Sequence, residues 1–358
     1  MAHVMRASTP FHSAFALAAG LCVLTPRPAA AAPSTRSGAV DVRIVTDEAD
    51  AALAILDRLR DGKPVRGADW QQLHASDGYQ RLKRRETTMG RAFEDSTFAA
   101  FVSADSTRSR ADALGRTVTE WKRSDLAGAG RRALDYLPAG ARIRAKVYLT
   151  IKPRANSFVF EAQSDPAIIL YVDPNVTRAQ FENTVAHELH HIGFASACAG
   201  DEDSTRSAAV STCRTWLSAF GEGLAMLAAA GGPGIHPHAE SGPDDRARWD
   251  RDMERFDDDV RSVRNFLEEI MNGRLSDPDS VRARGMEFFG VQGPWYTVGY
   301  RMAVTIERME GRAALIAVIC DPVELLRAYN RAARNSGSPG APALPLRPVD
   351  LLNRLESE

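Results

Sequence analysis

Apolar residues recur every three to four positions along most of this chain, and in one interval they alternate or run together instead. These two periods separate helix from strand. Val40-Asp41-Val42-Arg43-Ile44-Val45 alternates as a strand does, and Asp47-Glu48-Ala49-Asp50 then opens a helix through Leu59 with its acids where the helix dipole favours them. Asp61-Gly62-Lys63-Pro64 ends that helix. From Asp69 to Trp121 the spacing is helical throughout, anchored by Leu73, Tyr79, Leu82, Phe93, Phe98, Phe101 and Leu114. Sheet residues come next: Arg142 to Ile151, Ser157 to Phe160 and Ala167 to Asp173 are rich in β-branched side chains and punctuated by Pro and Asn.

Strands then give way to helices. Asn175 to Ala197 reads as one helix, with Thr177 and Gln180 as a capping box and Phe181, Val185, Leu189 and Ile192 as its apolar stripe. Trp216 to Ala228 is a strongly apolar helix stopped by Gly231-Gly232-Pro233-Gly234, and Arg246 to Asn272 is predicted as one long amphipathic helix. Pro294 to Glu310 is another. Asp321-Pro322-Val323-Glu324 has the N-cap, N1 proline and N3 acid of a helix start. The fold class expected is therefore α+β and mainly helical, with a small sheet preceding the Asn175–Ala197 helix. Residues 33–140 are expected to form an N-terminal, mainly helical subdomain, 141–335 the core, and 336–358 a Pro-rich arm with a short helix.

That helix carries His187-Glu188-Leu189-His190-His191. Positions i and i+4 share a helix face, so His187 and His191 can offer two imidazole nitrogens to one zinc ion, while Glu188 can reach a water activated by the metal. A carboxylate there can take the water's proton and pass it to a leaving amine. Scattered histidines on a surface helix would match the same pattern. His190 is an i+3 alternative to His191, or else a neighbour of the site or a solvent-facing residue. A catalytic zinc needs a third protein ligand. Glu222 is the candidate, because a carboxylate inside so apolar a helix is costly to bury unless it is paired or bound to metal, and Gly221 and Gly223 beside it permit close helix approach. An arginine partner or a wet groove would also accommodate it. Asp201, Glu202 and Asp203 are rival ligands in a loop that reads as solvated.

The combination of His187-Glu188-Leu189-His190-His191 with Gly221-Glu222-Gly223-Leu224-Ala225 resembles the gluzincin class of zinc metallopeptidases. With Trp295-Tyr296-Thr297-Val298-Gly299-Tyr300-Arg301-Met302 added, it is similar to the predicted bacterial zinc-dependent peptidases of the DUF5700 type. Glu222 lies 31 positions after His191, a longer interval than in the best-known gluzincins. The metzincin pattern does not fit, since its glycine and third histidine would fall on Phe194 and Ala197. The resemblance implies a zincin-like catalytic core in which strands feed the motif helix and an edge strand pairs with an extended peptide. It implies one Zn2+ per chain on His187, His191 and Glu222, Glu188 as general base and acid, and a peptide or protein substrate. Tyr296 and Tyr300 are candidates to donate to an oxyanion, or are core residues. A non-catalytic zinc-containing binding protein and a zinc amidohydrolase acting on a non-protein substrate are the alternatives. His236-Pro237-His238 sits in a Pro/Gly-rich loop with no matched third ligand and is not assigned to metal.

Composition adds compartment. Arg6, the apolar run Phe15 to Leu24 and the small residues Ala29 to Ala32 predict a Sec-type signal peptide over residues 1–32 and hence a periplasmic or secreted protein. The formal net charge of -1 gives no reason to expect nucleic acid or an anionic membrane surface as partner. No later stretch is long enough for stable membrane insertion. In an oxidising compartment Cys198 and Cys213 are expected to close the acidic loop as a disulfide contributing roughly 3 kcal/mol, with Cys320 a buried thiol. Zinc binding by these thiols lacks a Cys-x-x-Cys.

Overall fold

The computed structural model describes residues 39–198 and 206–335. The expected signal peptide, the linker after it, the Asp201–Asp203 loop and the C-terminal arm lie outside the described residues. Two compact units account for the chain: residues 39–127 with 143–188, and 128–142 with 189–335 as far as described.

The first unit is built on a mixed sheet. In chain order it holds β1 (Val40–Val45), α1 (Asp47–Arg60), α2 (Gly67–Ala75), α3 (Asp77–Thr88), α4 (Asp95–Ser103), α5 (Asp105–Arg108) and α6 (Ala111–Trp121). α7 (Leu126–Leu134) runs on into the second unit. β2 (Ile143–Thr150), β3 (Phe158–Phe160), β4 (Ala167–Tyr171) and the first half of α8 (Arg178–Ala197) complete it. The order across the sheet is β1-β2-β4-β3; β1 and β4 run parallel to β2, while β3 is antiparallel to β4 and forms an edge. Parallel neighbours require a crossover, and α1 to α7 supply the one between β1 and β2.

Its helices are held as the apolar periods anticipate. Leu73, Tyr79, Leu82, Phe98 and Leu114 are buried, and Tyr79 meets Phe98 edge-on at 5.0 Å between ring centroids. The acids at the start of α1 do more than favour its dipole. Asp47 accepts from the backbone N–H of Asp77 at 2.6 Å and of Gly78 at 3.2 Å, which caps α3 from another helix. Glu48 is fully buried and accepts from the Ile151 N–H at 2.8 Å. Lys152 is buried beside it, its ammonium donating to the carbonyls of Arg154 and Asn156 and to Asn156 Oδ1, which pins the β2–β3 loop.

The second unit is helical. It contains α9 (Ala208–Leu217), a 3₁₀ turn (Ser218–Phe220), α10 (Gly221–Ala230), α11 (Pro243–Glu254), α12 (Phe256–Met271), α13 (Pro278–Glu287), α14 (Pro294–Glu310), α15 (Arg312–Val318) and α16 (Pro322–Asn335). Gly231 caps α10 in the left-handed region at φ 87°. Asp321 accepts from the N–H of Val323 and of Glu324 at the start of α16, as the sequence predicts. The single helix expected over Arg246–Asn272 is two, α11 and α12, divided at Arg255. Asp257, Asp258 and Asp259 explain the restart, since three acids favour a helix N-terminus more than a helix middle.

The disulfide also differs from expectation. Cys198 bonds Cys320, with Cα atoms 5.1 Å apart, and not Cys213. Cys213 sits fully buried on α9, where its thiol donates to the Leu267 carbonyl at 3.6 Å. Nearness in sequence suggested the shorter loop, but the buried face of α9 turns Cys213 inward. Among the described residues no helix is long and apolar enough to cross a membrane.

Candidate metal centre

α8 starts as its sequence dictates. The Thr177 N–H donates to Gln180 Oε1 at 2.7 Å and the Gln180 N–H to Thr177 Oγ1 at 3.2 Å, a reciprocal capping box. Phe181, Val185, Leu189 and Ile192 are buried along one stripe, and Trp121 stacks on Phe181 at 4.4 Å. This fixes the rotation of the helix, and with it the direction in which the motif residues face. His187, Glu188, His190 and His191 are all buried too. His190 is therefore not solvent-facing; its ring lies 6.3 Å from that of His191 and 6.5 Å from that of Phe194.

Glu222 enters from the first turn of α10, in a helix whose residues from Glu222 to Ala229 are all buried. Its Oε2 lies 3.4 Å from His191 Nε2. The depth is possible because α10 meets α14 backbone to backbone. A β-carbon on Gly223 would stand 1.9 Å from the Tyr300 nitrogen, and one on Gly299 would stand 2.4 Å from the Phe220 carbonyl oxygen. Gly221, the other glycine flanking Glu222, has open space around it. Gly223 alone makes the close approach on α10, and its counterpart Gly299 carried no signal in the sequence beyond its place in an apolar helix.

His187 and His191 stand one turn apart on the continuous α8, and one ligand atom each from His187, His191 and Glu222 lie within 4.8 Å of one another. This group of three can hold a metal ion. Two imidazole nitrogens and one carboxylate oxygen match a zinc site with one position left open. They are too few, and too rich in nitrogen, for calcium or magnesium, which take six or more oxygen ligands with water included. Glu188 follows His187 directly and, at 2 % exposure, shares its buried surroundings.

The remaining candidates are placed as follows. Tyr300 packs edge-on against Trp249 at 5.3 Å, and its hydroxyl donates to the Ile235 carbonyl at 3.4 Å; burial raises its pKa. Tyr296 is buried with its ring 6.4 Å from Phe289. His236 pairs through Nε2 with Asp250 at 2.9 Å and accepts the His238 N–H at Nδ1. His238 shares a hydrogen bond with Ser241 at 2.9 Å, and burial pushes its pKa down to about 4, so it is neutral at pH 7.

Comparison with known proteins places the chain in a family. The family model described as "Putative zinc dependent peptidase (DUF5700)" matches residues 70–338. No curated protein and no solved structure matches the chain.

Proposed function

The chain belongs to the DUF5700 family of zinc-dependent peptidases, and from that premise we propose an exported peptidase that holds one zinc ion on His187, His191 and Glu222 and uses Glu188 as general base and acid. The observation that carries this assignment is the buried cluster of three ligand atoms within 4.8 Å, with Glu188 next to it in sequence.

Zinc, when bound, supplies Lewis-acid polarisation of a peptide carbonyl and acidifies water. The protein's own groups do the rest. Glu188 takes a proton from the attacking water as its oxygen adds to the carbonyl carbon. It then delivers that proton to the amide nitrogen as the C–N bond breaks, leaving a carboxylate and an amine. Glu188 suits both transfers because a carboxylate held in a buried site keeps its position without competing solvent. Metal retention alone would not require it. The Tyr300 hydroxyl is engaged by the Ile235 carbonyl, so this mechanism routes no proton through it.

Export is supported by the Arg6, Phe15–Leu24 and Ala29–Ala32 pattern and by the Cys198–Cys320 disulfide, a bond that persists in oxidising compartments. The decisive experiment compares the mature protein with Glu188→Gln. Both should carry about one zinc per chain, and only the first should hydrolyse a peptide library. Hydrolysis retained by Glu188→Gln would remove the mechanism.

A further inference from the structure

A small cavity of about 40 Å³ lies in the first unit, on the stretch of α8 that precedes the motif. Trp121, Leu170 and Phe181 form its buried floor; Tyr171, Val176 and Thr184 stand half-buried at its rim. Ala155 and Ser157 bring it to the start of the edge strand β3. Thr184 is the link to the chemistry. It stands three positions before His187 and four before Glu188, so all three occupy one helix face, and one turn of about 5.4 Å separates the cavity wall from the general base.

Most polar groups around this cavity are already engaged. The Thr184 hydroxyl donates to the Gln180 carbonyl at 3.0 Å, and the Trp121 indole N–H to the Val176 carbonyl at 3.3 Å. Arg110 donates to the Tyr171 hydroxyl at 3.1 Å. Asp173, also on the wall, accepts from the Asn175 backbone and side chain through one oxygen. What the cavity offers a ligand is shape and a mainly apolar surface. Its volume is of the size that holds a few waters, and so a methyl or isopropyl group, whereas an aromatic ring or an arginine exceeds it.

We propose that this cavity is the specificity pocket of the peptidase, and that it selects a small aliphatic side chain, from alanine to valine, on a residue flanking the scissile bond. The proposal rests on the peptidase assignment above. An extended peptide that adds to the open edge of β3 presents alternate side chains to one face, and the one nearest the attacked carbonyl falls one helical turn from Glu188, over the Thr184 rim. Preference then follows from fit: a pocket of this volume rejects bulk by sterics and rewards each buried methyl modestly.

The test uses the zinc-loaded mature protein and peptides that differ at single positions among Gly, Ala, Val, Leu, Phe and Arg. Cleavage next to Ala or Val should exceed that next to Phe or Arg at least about tenfold in kcat/KM. Val176→Ala, which widens the rim, should bring Leu up toward Val; Thr184→Leu, which fills it, should shift preference to Gly. Binding of the same peptides to Glu188→Gln, followed by titration calorimetry, gives the ranking without turnover. Cleavage that ignores side-chain size, unmoved by both variants, would overturn the pocket and leave the peptidase standing. Size-ranked binding without hydrolysis would do the reverse. Neither binding nor cleavage would overturn both.

Discussion

Gly223 on α10 lies against the main chain of Gly299 and Tyr300 on α14, Gly299 lies in turn against the main chain of Phe220 just before α10, and the residue preceding Gly223 is Glu222. The contact sets how deep the carboxylate sits. A methyl group at either glycine would have to displace backbone, since it would stand 1.9 Å from the Tyr300 nitrogen or 2.4 Å from the Phe220 oxygen. Gly223→Ala and Gly299→Ala should therefore each cost about 3 kcal/mol or more of stability and weaken zinc binding, although neither residue is a ligand. Gly221→Ala, which meets nothing, should do little to either. Chemical denaturation and metal titration of the three variants check this; zinc affinity unchanged in Gly223→Ala would show that Glu222 does not depend on the helix contact.

The Cys198–Cys320 bond closes a separation of 122 residues, and by loop-closure entropy a loop of that order contributes about 4–5 kcal/mol. Cys320→Ser should lower the denaturation midpoint and remove the redox dependence of stability. Cys213→Ala should leave that dependence intact, because Cys213 is a buried free thiol outside the disulfide. Mass mapping of non-reduced peptides checks the pairing directly, and a Cys198–Cys213 peptide would contradict it.

Much of the fold was legible because periodicity and capping are local. The capping box at Thr177, the span of α14, the start of α16 and the four sheet strands all follow from residues within a few positions of one another. The metal cluster was legible in the same measure: His187 and His191 belong to one helix, and a lone carboxylate in an apolar helix announces that it needs a partner. What failed was non-local. Nothing near Cys198 in sequence points to Cys320, and Gly299 reads as an ordinary small residue until Gly223 is set against it. The break at Arg255 was hidden because the apolar stripe from Trp249 to Ile270 keeps its period while the acids restart the helix.

Glu48 should make stability depend on pH with a definite sign. Burial pushes its pKa from the ordinary 4.5 to about 8, against the Ile151 N–H bond, so between those values the folded chain keeps a proton that the unfolded chain releases. The stability this provides is complete below about pH 4.5 and is lost as pH rises toward 8, by roughly 3–5 kcal/mol. Lys152 opposes it at the upper end. Burial lowers its pKa to about 7, while three oxygens hold its ammonium, so its contribution grows above pH 7. Glu48→Gln keeps an acceptor for Ile151 and cannot ionise. The difference in urea midpoint between wild type and this variant should shift in favour of the variant from pH 5 to 8. A difference that stays constant would mean that Glu48 remains ionised in the fold.

Metal removal should be felt as a loss of stability, and the loss should require all three ligands. Two imidazoles and a carboxylate gathered within 4.8 Å in a buried site are costly to keep together without a cation, and a metal that binds the folded chain alone stabilises it by mass action. At free zinc one hundred times its dissociation constant the effect is about 2.7 kcal/mol. Chelation should therefore lower the melting temperature of the wild type by several degrees, and zinc should restore it. His187→Ala, His191→Ala and Glu222→Ala should each abolish the response. Glu188→Gln should keep it in full, because the proposed mechanism has Glu188 act on water and not on the metal. If Glu222→Ala still answered to zinc, the third ligand would have to come from elsewhere, with Asp201, Glu202 and Asp203 first to be replaced.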